Sequence, residues 1–164
     1  LSKVKVILFT WEVLDLDKLK EQRIKQIKKL QKNLSSIRKI AGWTAATLGE
    51  KIGVTKQTIS NIENQKTPMT FTQYIAIRAV LDAEVDNNKE NIVLPKVITI
   101  LLDSDDELDG DTYEEVQKSV NQVAASAAGG VSGVALVSVF AALVPVAGTI
   151  LEAMSALNWK KLLK

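Results

Sequence analysis

Apolar residues at Ile27, Leu30, Leu34, Ile37 and Ala41 recur at intervals of 3, 4, 3 and 4, with lysines between them. That period predicts a helix over residues 15–41 with one buried stripe, and Gly42 is placed to end it. A short helix over residues 45–51 follows, with Thr44 as its cap and Gly53 as the turn after it. Thr55 can cap the next helix, which runs to about Glu63. The loop NQKTPMT then leads into a fourth helix over residues 71–81. Residues 1–14, LSKVKVILFTWEVL, alternate weakly between apolar and polar and read as a strand. The chain opens on Leu1 and its first methionine is Met69. That suggests a fragment or a misassigned start, and the segment carries little weight.

Farther along, Pro95 opens a short apolar segment, VITILL, and the acidic loop DSDDELDGD follows. Asp111 with Glu114 reads as a capping box for another helix. Residues 119–151 then run for 33 positions without a charge, rich in Ala, Gly and Val. That length exceeds what a membrane span needs. Ser138, Pro145, Gly148 and Thr149 oppose insertion, whereas Lys160, Lys161 and Lys164 would suit a cytoplasmic end. The expected span is residues 134–151, or else the stretch bends near residues 129–133 or at Pro145. A soluble Ala-rich hairpin buried in a dimer accounts for the same pattern.

Composition narrows the chemistry. The chain has 164 residues, is 46% hydrophobic, and contains neither cysteine nor histidine. Disulfides, the usual zinc ligands, thiol nucleophiles and histidine acid–base catalysis are therefore absent. No enzyme, cofactor or metal site is expected. No secretory signal is visible, because the apolar start is short and is followed by charges. The net charge of +2 hides a partition. Residues 1–81 hold 15 basic and 6 acidic residues, whereas residues 82–118 hold 3 basic and 12 acidic ones. A basic first half suggests a polyanionic partner, and the acidic middle reads as a solvated linker. The lysines at 18–32 fit a solvated helix face as well as one that tracks phosphates. A calcium loop would place Asp105, Glu107, Asp109 and Asp111 as ligands, but its twelfth position needs a bidentate Glu and holds Val116. A solvated acidic loop is the better reading.

The stretch GVTKQTISNIENQKTP, from Gly53 to Pro68, carries the most specific signal. Leu48, Val54, Ile59 and Ile62 are spaced to point inward. Thr55, Lys56, Gln57, Thr58, Ser60 and Asn61 make up a polar helix surface with one lysine and no acid. Gln and Asn can pair bidentately with adenine, and Lys can reach guanine O6 and N7. Gly49 costs about 1 kcal/mol relative to Ala inside a helix, so its presence suggests a close approach of two helix backbones.

The blocks LSSIRKIAGWT, LGEKIGVTKQTIS and NIENQKTP resemble the lambda-repressor and Cro family of helix-turn-helix DNA-binding domains over about 48 of the 164 residues. The resemblance implies that helix 55–63 enters the major groove. It implies a buried ion pair between Arg38 and Glu63, and phosphate contacts from Asn64 and Lys66. It also implies that the helix capped by Thr44 presents its N-terminus to a further phosphate. The chain departs from the family at Ala45, where Gln is usual, at Gln65, where Gly is common, and at Gly49, where Ala is usual.

The expected fold is all-α. A lambda-repressor-like bundle (34–85) follows a basic N-terminal extension (1–33), and an acidic linker with a short helix (86–118) and an apolar helical tail (119–164) come after it. The expected function is repressor-like transcription regulation on double-stranded DNA, by a homodimer in the cytoplasm. Two other readings stand beside it. One is a membrane-associated protein acting through residues 119–157, with the DNA-binding domain tethering or autoregulating. The other is an antitoxin.

Overall fold

A computed structural model describes residues 2–104, 108–145, 147–153 and 157–164. The fold is all-α, with eight α-helices and no strand among the described residues. The first, α1 (Ser2–Ile40), is the backbone of the molecule. Of the stripe that the 3-4 spacing predicts, Leu30, Leu34, Ile37 and Ala41 are buried and Ile27 is half-buried, and Ile40 joins them. Residues 1–14 were expected as a strand, but the described part of that segment continues α1. Once a helix is nucleated downstream, extending it costs little, and no strand among the described residues offers a partner.

Three consecutive helices end in the same way. At the end of α1, Trp43 N donates to Arg38 O at 3.0 Å and Gly42 N to Lys39 O at 3.0 Å, with Gly42 at φ +77°. This is the left-handed cap in which one residue reverses the chain. The second helix, α2 (Ala45–Ile52), ends on Gly53 at φ +75°. The third, α3 (Lys56–Glu63), ends with Lys66 N on Asn61 O at 2.8 Å and Gln65 at φ +55°. Gln65 thus keeps the turn that the usual glycine would make.

Helix α4 (Phe71–Asn87) carries a full capping box from Thr70 and Gln73 and runs past the expected end at Leu81. Next comes α5 (Val93–Ile98), which widens into a π-helical turn over Thr99–Asp103. Pro95 falls in the first turn of α5, where its missing N–H breaks no helical bond. Residues 93–103 do not belong to a solvated linker. Val93, Leu94, Val97, Ile98, Ile100, Leu101 and Leu102 are all buried. The acids that suggested a linker lie on either side of this apolar run, and it is the run that is packed.

Helix α6 (Gly110–Ala128) is capped by Asp109 rather than by Asp111. The Asp109 carboxylate accepts from Thr112 N at 2.9 Å and from the Thr112 hydroxyl at 2.7 Å. These bonds, the backbone one first, hold its pKa below the ordinary carboxylate range. Asp111 then sits in the first turn, where a negative charge suits the helix dipole. Two of the four calcium-loop positions, Asp105 and Glu107, lie outside the described residues.

The uncharged stretch is broken into the end of α6, then α7 (Gly133–Leu143) and α8 (Ala147–Ala153). Gly130 at φ +95° and Gly133 at φ +57° make the first break, and α7 ends at Leu143 with Val144 as its cap. Residues 134–151 therefore do not form one span. Among the described residues, no helix is long and apolar enough to cross a membrane. Val120, Val123, Ala124, Leu136, Phe140 and Val144 join the same buried core as α1 and α3.

The chain closes with a 3₁₀ turn, Trp159–Leu163. Arg23 on α1 donates to Leu162 O at 2.8 Å and Lys164 O at 3.0 Å. Trp159 Nε1 donates to Asp82 on α4 at 2.9 Å. Beneath it, Arg78 lies 2.9 Å from Asp103, which joins α4 to the π-helical turn. Burial raises the pKa of Asp103 and pushes the Tyr74 hydroxyl up to about 12.

Candidate nucleic-acid interface

Helices α2 and α3 pack through Leu48, Ile59 and Ile62, all buried, with Val54 half-buried between them. Their approach is set at Gly49. A Cβ there would lie 2.6 Å from Val54 O and 3.2 Å from Thr55 C. Both contacts are backbone, so a side chain could enter only if the turn moved. The glycine lets the turn fold tightly against α2, and this fixes the direction in which α3 leaves it.

Two threonines start the two helices. Thr44 accepts from Thr47 N at 3.0 Å, and Thr55 accepts from Thr58 N at 3.1 Å. The hydroxyls also pair, Thr44 with Thr47 at 2.8 Å and Thr55 with Thr58 at 3.0 Å. Thr58 is half-buried, and helical spacing puts it on the side of α3 that faces Ile59 and Ile62. At the same spacing Lys56, Gln57, Ser60, Asn61 and Asn64 share the outer face. Lys56, Gln57 and Asn64 are exposed, and Ser60 and Asn61 are half-buried.

The outer face is partly organised by its own side chains. Gln57 Nε2 donates to Asn61 Oδ1 at 2.8 Å. Asn64 Nδ2 donates to Ser60 O at 2.9 Å and approaches Ser60 Oγ at 3.3 Å. Lys66 stands exposed in the loop beyond.

Behind α3, Arg38 and Glu63 form a two-pronged pair. Arg38 Nε lies 2.6 Å from Glu63 Oε1 and Nη2 lies 3.0 Å from Oε2. The two side chains are 11% and 10% exposed. The third guanidinium nitrogen, Nη1, donates to Trp43 O at 2.8 Å. One arginine thus ties α1, the turn before α2, and the end of α3.

Gln31 was not singled out in the sequence. Its Nε2 donates to Ile62 O at 3.0 Å and Thr67 O at 2.8 Å, and its Oε1 accepts from Met69 N at 2.9 Å. It fixes both ends of the loop that carries Asn64 and Lys66. A polar residue at the edge of an apolar stripe, one turn before Leu34, was the available sign.

Two short capped helices locked at a glycine turn, the second exposing amide and ammonium side chains, define a helix-turn-helix DNA-binding unit. Residues 34–86 match the family model described as helix-turn-helix. The match supports a lambda-repressor-like helix-turn-helix over that segment, a domain that suggests a DNA-binding transcription regulator. No curated protein and no solved structure matches the chain.

Proposed function

We propose that the protein is a sequence-specific transcription regulator that binds double-stranded DNA as a two-fold homodimer and represses by occupancy. The observation that carries this reading is the outer face of α3. Lys56 and Gln57 project from its first turn with Asn61 one turn on, where recognition helices meet base edges. The Gln57–Asn61 bond leaves Gln57 Oε1 and Asn61 Nδ2 open, a paired acceptor and donor that suits the adenine edge. Phosphates are met by Lys66, by the backbone amides at the start of α2, and by Asn64 once its amide leaves Ser60.

Selection of bound sequences from random DNA gives the operator. On that operator, Gln57→Ala and Asn61→Ala should each cost about 1–3 kcal/mol of binding, with nonspecific affinity nearly unchanged. Because the two side chains touch, the double variant should lose less than the sum. Lys66→Ala should weaken all sequences alike and lower the salt slope by about one unit. Equal losses on random DNA for the Gln57 and Asn61 variants would show that α3 does not read bases.

A further inference from the structure

The first turns of α1 stand clear of the body. Val4, Ile7, Trp11 and Leu14 are between 54% and 67% exposed. Leu19 is the first residue of α1 packed against the core. Soluble monomers rarely leave so many large apolar side chains together in water. These four are spaced 3, 4 and 3 apart, which is the seam of a two-helix coiled coil.

The charges beside that seam choose an occupant and a direction. Lys3 and Lys5 lie at one end of the segment, and Glu12, Asp15 and Asp17 lie toward the other. A helix that lies on lipid carries Lys and Arg along its polar face, whereas acids close this one. Two parallel copies would set lysines on lysines and acids on acids. Two antiparallel copies stack Val4 on Leu14 and Ile7 on Trp11, and bring Lys3 of each copy beside Asp17 of the other. The far side of the helix carries Val6, Phe9, Val13 and Leu16. That stripe is flanked by Lys5 and Glu12 on one edge and by Lys3 and Asp17 on the other, so the charges set the antiparallel direction, and the variants below decide the face.

We propose that residues 4–16 of α1 are an antiparallel homodimerisation helix, occupied by the same segment of a second copy through Val4, Ile7, Trp11 and Leu14. The proposal rests on the two-fold DNA-binding reading only in giving that dimer its contact.

The test uses the whole chain in sedimentation equilibrium. The parent should sediment at twice 17.9 kDa, and Ile7→Glu with Trp11→Glu should bring the mass down to that of one chain. The body should stay folded, because neither side chain joins the core, and its melting temperature should lose the dependence on protein concentration that the parent shows. Phe9→Gln, on the far side, should leave the dimer intact. The chain has no cysteine, so introduced thiols report only the designed contact. A mixture of Ile7→Cys and Trp11→Cys chains should form the mixed disulfide in preference to either like pair.

A monomeric parent would overturn the proposal, as would a dimer untouched by the double Glu variant. Like disulfides in the Ile7→Cys chain alone would replace the antiparallel arrangement with a parallel one. Flotation of a monomeric parent with phosphatidylcholine–phosphatidylglycerol vesicles would assign the segment to lipid. The two readings fail separately. A parent that dimerises without binding its selected DNA overturns the DNA reading alone, and a monomer that binds the operator overturns the pairing alone.

Discussion

The two halves of α1 carry the same kind of stripe and meet opposite fates. From Ile27 to Ala41 the 3-4 spacing is buried under α3, α6 and the π-helical turn. From Val4 to Leu14 the same spacing stands in water. Periodicity therefore specifies a helix and a face but says nothing of what will cover that face. Cover is decided by elements distant in sequence, here α6 and the turn after α5, which pack on one half of the helix and leave the other bare.

The sharpest way to break this contrast is the charged pair on the buried half. Glu63→Ala leaves Arg38 held against Trp43 O with its carboxylate gone, and should cost about 3–5 kcal/mol of stability. A thermal melt equal to the parent's would show that the pair does not brace α3.

Next come matched truncations along the helix. Ile37→Ala opens space in the closed core and should cost about 2–5 kcal/mol in a urea titration. Phe9→Ala, on the bare half, should stay within about 0.5 kcal/mol. Equal costs would mean that the N-terminal half is covered by this chain's own fold.

The smallest expected effect sharpens the comparison at the loop that Gln31 holds from the buried half. Gln65 occupies a left-handed position that favours glycine. Gln65→Gly should relieve that cost, less what glycine's freer unfolded chain takes back, for a gain of up to about 1 kcal/mol. A higher melting temperature with unchanged operator preference is the expected result. A loss of stability would mean that the glutamine side chain stabilises the turn.

The helix-turn-helix was legible because its signals are local. Capping threonines, Gly42, Gly53 and the inward spacing of Leu48, Ile59 and Ile62 lie within one or two turns of what they control. Gly49 was legible as a tight approach for the same reason, since its neighbours in space, Val54 and Thr55, are also its neighbours in sequence. The Arg38–Glu63 pair lay beyond periodicity and came only through the family resemblance.

What sequence could not show depends on partners far along the chain. Residues 93–103 looked like part of an acidic linker because charge was averaged over a window wider than the buried run. Gln31 looked like one more polar residue, since its acceptors lie more than thirty positions away. The residues 1–14 strand failed because a strand needs a neighbour and a helix does not. The cap of α6 moved by two residues because Asp109 and Asp111 are both sound cap residues, and only the Thr112 contact separates them.

The unbroken run of α1, from Ser2 to Ile40, also makes it a ruler. In the antiparallel dimer, the crossing point near residue 9 lies about 25 residues from Leu34, or roughly 37 Å at 1.5 Å per residue. Two such arms hold the reading heads no more than about 75 Å apart along the helix direction. Successive turns of DNA are about 34–36 Å apart, so if the proposed dimer forms, its half-sites would lie one or two turns from each other and not three.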